Sequence, residues 1–163
     1  LELLALITDR ELPDARPFSE AASLILETGG IPVIPWAPGK WSGRRGAILR
    51  RALPALAPKG LMLCDSAIRP AFCPEPWLFH RARRLQVPVV AGGDPLPVPG
   101  EELLAGRYGS LIEADFDPDS AATAIPALLR ERRFSRCRRI GHRSSFPAAV
   151  HRWIRHMFGP ASD

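Results

Sequence analysis

Five short apolar runs, separated by stretches of helical periodicity, constrain the first 129 residues more than any other feature. The runs are Leu3–Ile7, Ile31–Trp36, Leu61–Cys64, Val87–Ala91 and Leu111–Ile112 with its flanks. Rich in Val, Ile and Leu and mostly lacking polar alternation, they read as strands buried on both faces of a parallel sheet. Pro32 and Pro35 cannot donate to a ladder, so the second run is expected on a sheet edge. Helical candidates lie between the runs. Residues 15–28 put Phe18, Ala21, Ala22, Leu24 and Ile25 largely on one side and stop at Gly29-Gly30. Residues 42–53 end before Pro54, residues 75–85 carry Trp77, Leu78, Ala82 and Leu85, and residues 100–105 form a short turn. Asp117-Pro118-Asp119 supplies a capping oxygen, a proline preset for the first helical position and an acid at the positive end of the dipole. Pro126 is expected to kink the helix that follows. Strands alternating with helices predict a five-stranded, doubly wound, parallel α/β sheet with right-handed crossovers.

Residues 130–163 differ. They carry 9 Arg against Glu131 and Asp163, whereas residues 1–129 hold 13 Lys+Arg against 15 Asp+Glu. The net charge of +5 therefore belongs to the tail, the only part that argues for an anionic partner. Arg130 to Ser145 reads as a basic, polar connector. Beyond it, Val150, Trp153, Ile154, Met157 and Phe158 form an apolar stripe at helical spacing, stopped by Gly159-Pro160. The organisation expected is an α/β domain over 1–130, then a connector and an amphipathic helix over 131–163. With 46% apolar and 24% charged residues in 163, the composition is that of a globular chain. No apolar run approaches the roughly 20 residues that cross a bilayer. The N-terminus has no basic segment and no small-residue cleavage site, which argues against a signal peptide. The chain starts at Leu1, which suggests that it is excised from a longer one. Cys64, Cys73 and Cys137 form no CxxC or Cys/His ligand spacing, so neither a disulfide framework nor a structural metal is expected, and a reducing cytoplasm fits. His80, His142, His151 and His156 also lack ligand spacing, and no Ser/His/Asp order is recognisable.

Ligands of such sheets gather beyond the carboxyl ends of the strands. There the sequence places Asp9-Arg10-Glu11 after the first strand, Asp65 after the third, Gly92-Gly93-Asp94 after the fourth and Glu113-Ala114-Asp115 after the fifth. Asp9 and Asp65 could face one another across a small pocket. Leu6-Ile7-Thr8-Asp9-Arg10-Glu11, Leu61-Met62-Leu63-Cys64-Asp65, Pro88-Val89-Val90-Ala91 and Phe116-Asp117-Pro118-Asp119 occur in an order that resembles the receiver domain of bacterial two-component response regulators. The resemblance spans roughly residues 4–130. It implies a flavodoxin-like sheet of order 2-1-3-4-5, with Asp65 as the equivalent of the phospho-accepting aspartate and Asp9, Arg10 and Glu11 in the acidic pocket.

The departures from the family pattern are chemical. Arg10 stands where a second acid would hold a divalent cation, Gly93 where a hydroxyl residue is expected, and Ala114 where the family has a lysine. Phosphoryl transfer to a carboxylate depends on such cations and donors. The implied protein is a pseudo-receiver, in which Arg10 pairs with Asp9 or Asp65 and takes the cation's place. Its function would be signal transduction by protein–protein interaction, without catalysis, cofactor or metal. The partner would be a kinase, an output domain or a second copy in a homodimer. The stripe from Val150 to Phe158 could dock on its own domain, on a partner or on a membrane surface. Two other classes stand beside this one: a small Rossmann-like enzyme or nucleotide-binding domain, and a nucleic-acid binder using the arginine-rich tail.

Overall fold

A computed structural model describes residues 1–115, 117–131 and 136–158. The architecture is mixed α/β, with helices packed on a mostly parallel sheet of four strands. In chain order the elements are β1 (Leu4–Leu6), α1 (Phe18–Glu27), β2 (Ile31–Pro35), α2 (Gly43–Leu56), β3 (Met62–Ser66), α3 (Trp77–Arg84) and β4 (Val89–Gly92). There follow β5 (Tyr108–Glu113), α4 (Ala121–Glu131), β6 (Arg136–Gly141) and α5 (Phe146–Phe158). Three single 3-10 turns, Ala57–Lys59, Glu101–Leu104 and Pro118–Ser120, join them. Asp117 caps the last turn as expected, its Oδ1 accepting from the Asp119 amide at 3.0 Å.

The sheet runs β1-β2-β3-β4, with β2, β3 and β4 mutually parallel and β1 antiparallel to β2. The expected order 2-1-3-4-5 is therefore corrected at both ends. The first strand lies on the edge and runs backwards, and the fifth pairs with β6 in a separate antiparallel ribbon from Tyr108↔Gly141 to Glu113↔Arg136. An apolar run reports how much a segment can bury, not the direction in which it runs. Leu4 and Leu6 remain exposed, as befits an edge strand with one neighbour. Beyond them Ile7 adopts a φ of 59°, a conformation that a β-branched residue seldom enters.

The second strand is interior, contrary to the edge expected for it, and all five of its residues are buried. Its prolines fit because the two ladders are offset. The Trp36 amide donates to the Cys64 carbonyl at 2.9 Å, so the even-numbered residues of this segment face β3 and the odd-numbered ones face β1. Pro32 lies before the first β2–β3 pair, Val33↔Met62, and Pro35 lies beyond the last β1–β2 pair, Leu4↔Val33. Each missing donor thus points past the end of a ladder.

Side chains alternate across the sheet, dividing the core. Ile34, Leu61 and Leu63 pack with Leu49, Leu53, Leu78 and Phe79 of α2 and α3. On the opposite face Ile31, Val33, Met62 and Cys64 form a smaller cluster against Ile7, Val90 and Leu129. Contrary to the expectation of a stop before Pro54, α2 continues through it to Leu56. A proline inside a helix costs about 3 kcal/mol. Burial of Leu49, Leu53 and Leu56 on the core face, worth about 1.5–3 kcal/mol each, outweighs that cost.

The arginine-rich stretch expected as a connector contains β6 instead. Gly141 ends that strand at a φ of 80°, and a Cβ there would stand 2.0 Å from the Arg107 carbonyl oxygen, so only glycine fits. The ribbon sits beside β4, where the Ala91 amide donates to Ser110 Oγ at 2.7 Å. The final helix α5 matches its expected span. Its buried residues are Ala149 and Arg152, while the stripe Val150, Trp153, Ile154, Met157 and Phe158 is exposed. No helix among the described residues is long and apolar enough to cross a membrane.

Candidate functional site

Asp65 is the fourth residue of the fully buried β3, and period-2 alternation puts it on the same face as Leu63, toward α3. Its side chain is 0% exposed. A buried carboxylate has to be matched by donors, and four reach it. Arg69 grips it bidentately, Nε to Oδ1 at 2.7 Å and a terminal nitrogen to Oδ2 at 2.6 Å. The Tyr108 hydroxyl donates to Oδ2 at 2.8 Å from β5, and Arg139 donates to the same oxygen at 2.8 Å from β6. Arg69 is itself 2% exposed, and its remaining nitrogen donates to the carbonyls of Cys73 and Pro74. Phe79 floors the site: the Arg69 and Arg139 guanidinium carbons lie 5.9 and 5.5 Å from its ring centroid.

Glu75 extends the cluster outward, accepting from Arg139 at 2.5 Å and pairing with Arg83 at 2.7 Å. The electrostatics follow from this geometry. Burial pushes the Asp65 carboxyl up, but the hydrogen bonds from Arg69, Tyr108 and Arg139 outweigh it and hold the group below its ordinary range. The Arg83 hydrogen bond, aided by Arg139 against partial burial, brings Glu75 down to about 2. Burial and the Asp65 carboxylate push the Tyr108 phenol up to about 12. Cys64, next to the site, is pushed up to about 12 by burial and by the nearby Asp94 and Asp65. The site is therefore a network of fixed charges with a neutral phenol and a neutral thiol beside it. It can lock the β5–β6 ribbon to β3. It offers no oxygen of Asp65 that lacks a donor.

A second buried pair anchors α5. Arg152 of α5 is 6% and Glu101 4% exposed, and Arg152 reaches both Glu101 oxygens, at 2.9 Å from Nε and 2.5 Å from a terminal nitrogen. It also donates to Ser144 Oγ at 2.9 Å.

Of the residues singled out in the sequence, Asp65 occupies the centre of the site. The acidic-pocket group does not join it. Because β1 is antiparallel, its carboxyl end lies beside Ile31, at the amino end of β2, and Asp9, Arg10 and Glu11 are exposed there. Asp9 and Asp65 are thus at opposite ends of the sheet, and the cationic role assigned to Arg10 falls to Arg69 and Arg139. Gly93 follows β4 and Ala114 follows β5, both in irregular segments. Sequence reasoning missed Arg69, Tyr108, Arg139, Glu101 and Arg152. An Asp-x-x-x-Arg spacing from Asp65 to Arg69 was the signal available. For Arg139 the signal was only an excess of arginine in a stretch read as a connector, and for Arg152 only a place off the apolar stripe of the last helix.

No family model matches this chain, and no solved structure matches it. Over 112 residues it is 35% identical to the G-type subunit of the NADH-quinone oxidoreductase of Mycobacterium bovis, and equally to that of Mycobacterium tuberculosis. The matched segment is 66% of this chain and 13% of each relative, so the chain spans about an eighth of the length of the curated relatives it matches.

Proposed function

We propose that this chain is a non-catalytic protein-interaction module of a polypeptide similar to the G-type subunit of NADH-quinone oxidoreductase. The observation that carries the non-catalytic part is the saturation of Asp65, the carboxylate at the strand end where chemistry would be expected, by Arg69, Arg139 and Tyr108. The similarity over two thirds of the chain supplies the assembly. The surface that works is α5, whose inner side is pinned by Arg152 while Trp153, Met157 and Phe158 stand 52%, 55% and 81% exposed. Large apolar groups in such a patch, with arginine at the rim, are the composition of an interface core. The three cysteines are free thiols, which supports a reducing, cytoplasmic setting.

The pseudo-receiver reading is favoured by one observation of its own: a carboxylate at the carboxyl end of a central parallel strand, with cations against it where a metal-dependent receiver would place its ion. On that reading the partner is a kinase, an output domain or a second copy. Affinity purification of the tagged chain from its own host separates the two. Co-purification with NADH-oxidising activity, lost when Trp153 and Met157 are changed to glutamate, is the outcome expected of the oxidoreductase module. Recovery of a histidine kinase or of the homodimer alone would overturn it in favour of the second reading.

A further inference from the structure

A cavity of about 370 Å³ lies where the carboxyl end of β3 meets the β6–α5 junction. Backbone hydrogen bonds build it: the Ser144 amide donates to the Ala67 carbonyl, and the His142 amide donates to the Arg107 carbonyl, both at 2.9 Å. Arg107, His142, Arg143 and Ser145 contribute its polar lining, and Ala67, Leu104 and Ala148 its apolar wall. No acidic residue lines it. Arg152, also at its edge, is neutralised by Glu101, and both terminal nitrogens of Arg143 donate to the carbonyls of Pro70, Cys73 and Ala71, outside the lining. Among the described residues, Arg107 makes no ion pair. Arg107, an imidazole from His142 and a hydroxyl from Ser145 thus line a concavity of the size that holds small ligands, in the crevice beyond a parallel strand where α/β sheets bind them.

We infer that this cavity binds a small phosphomonoester, its phosphate against Arg107 and His142 and its apolar body over Ala67, Leu104 and Ala148. Planar guanidinium forks match phosphate oxygens bidentately, which favours this head group over a simple halide. The site is separate from the Asp65 network and does not depend on the interaction role proposed above.

The test is calorimetric titration of the full chain with inorganic phosphate and with phenyl phosphate at constant ionic strength, alongside amide chemical shifts. Saturable binding is expected for both, tighter for phenyl phosphate, with shifts at Ala67, Ser144 and Ala148. Arg107→Glu, at an exposed position without an ion pair, should leave the melting temperature unchanged and weaken binding of both ligands tenfold or more. Arg138→Glu, on the exposed side of β6 outside the cavity, should leave binding within twofold. Absence of saturable binding, equal loss in both variants, or shifts confined to residues 136–139 would overturn the assignment.

Discussion

Replacing Asp65 by asparagine keeps the shape of the side chain and removes its charge. In the folded chain the change leaves Arg69, 2% exposed, without its bidentate partner and turns two charge-assisted hydrogen bonds into weaker or repulsive contacts. Breaking a buried ion pair from one side costs about 3–5 kcal/mol, because the remaining charge is uncompensated. In a domain of this size each kcal/mol moves the melting temperature by about 2–4 °C, so the expected loss is about 6–20 °C. Differential scanning calorimetry at pH 7 measures it. The double variant Asp65→Leu/Arg69→Met removes both buried charges together and should recover more than half of that loss, since a well-packed apolar replacement of a buried pair is often neutral. Arg139 retains Glu75 in that variant. A melting temperature within about 2 °C of the parent for Asp65→Asn would contradict a buried Arg69 left without its partner.

Other expectations follow from the same contacts. Arg152→Leu should destabilise by about 3–5 kcal/mol, read by urea denaturation, because it leaves Glu101 buried and unpaired. Gly141→Ala should cost at least about 1–2 kcal/mol from its left-handed backbone alone, and more from the clash with the Arg107 carbonyl. Stability should be fully present above about pH 5 and fall as pH drops toward 2. Asp65, Glu75 and Glu101 all titrate lower when folded than when unfolded, Glu75 moving from 4.5 to about 2. Glu75→Gln should flatten that acid limb in a pH series of thermal melts. Under native conditions at pH 8, iodoacetamide should label Cys73 and Cys137 well before Cys64, which mass spectrometry of the digest resolves.

The helices and the central strands were legible because they carry their own signals. The spans of α1, α3 and α5 follow from apolar periodicity, and the cap at Asp117 from its residue types. Direction and partnership left no such trace. Nothing in Leu3–Ile7 distinguishes a reversed edge strand from a parallel interior one, since an apolar run carries no mark of direction or of how many neighbours it will have. Prolines 32 and 35 misled because what matters is where the neighbouring ladders stop, a property of β1 and β3 rather than of β2. Asp65 was found by its place after a buried run. Its partners were not: Arg139 and Tyr108 are brought to it by pairing between β5 and β6 across a segment whose charge suggested solvent. An arginine-rich strand is stable there because Asp65 and Glu75 face Arg139, a complementarity visible only in three dimensions.

On the proposed function Asp65 is held for structure and does not accept a phosphoryl group. Incubation of the full chain with acetyl phosphate, and separately with beryllofluoride, with and without Mg²⁺, tests it most directly. Intact-mass spectrometry and amide spectra should be unchanged in every arm, because each Asp65 oxygen already accepts from an internal donor. Stoichiometric, Mg²⁺-dependent modification mapped to Asp65 would contradict the account.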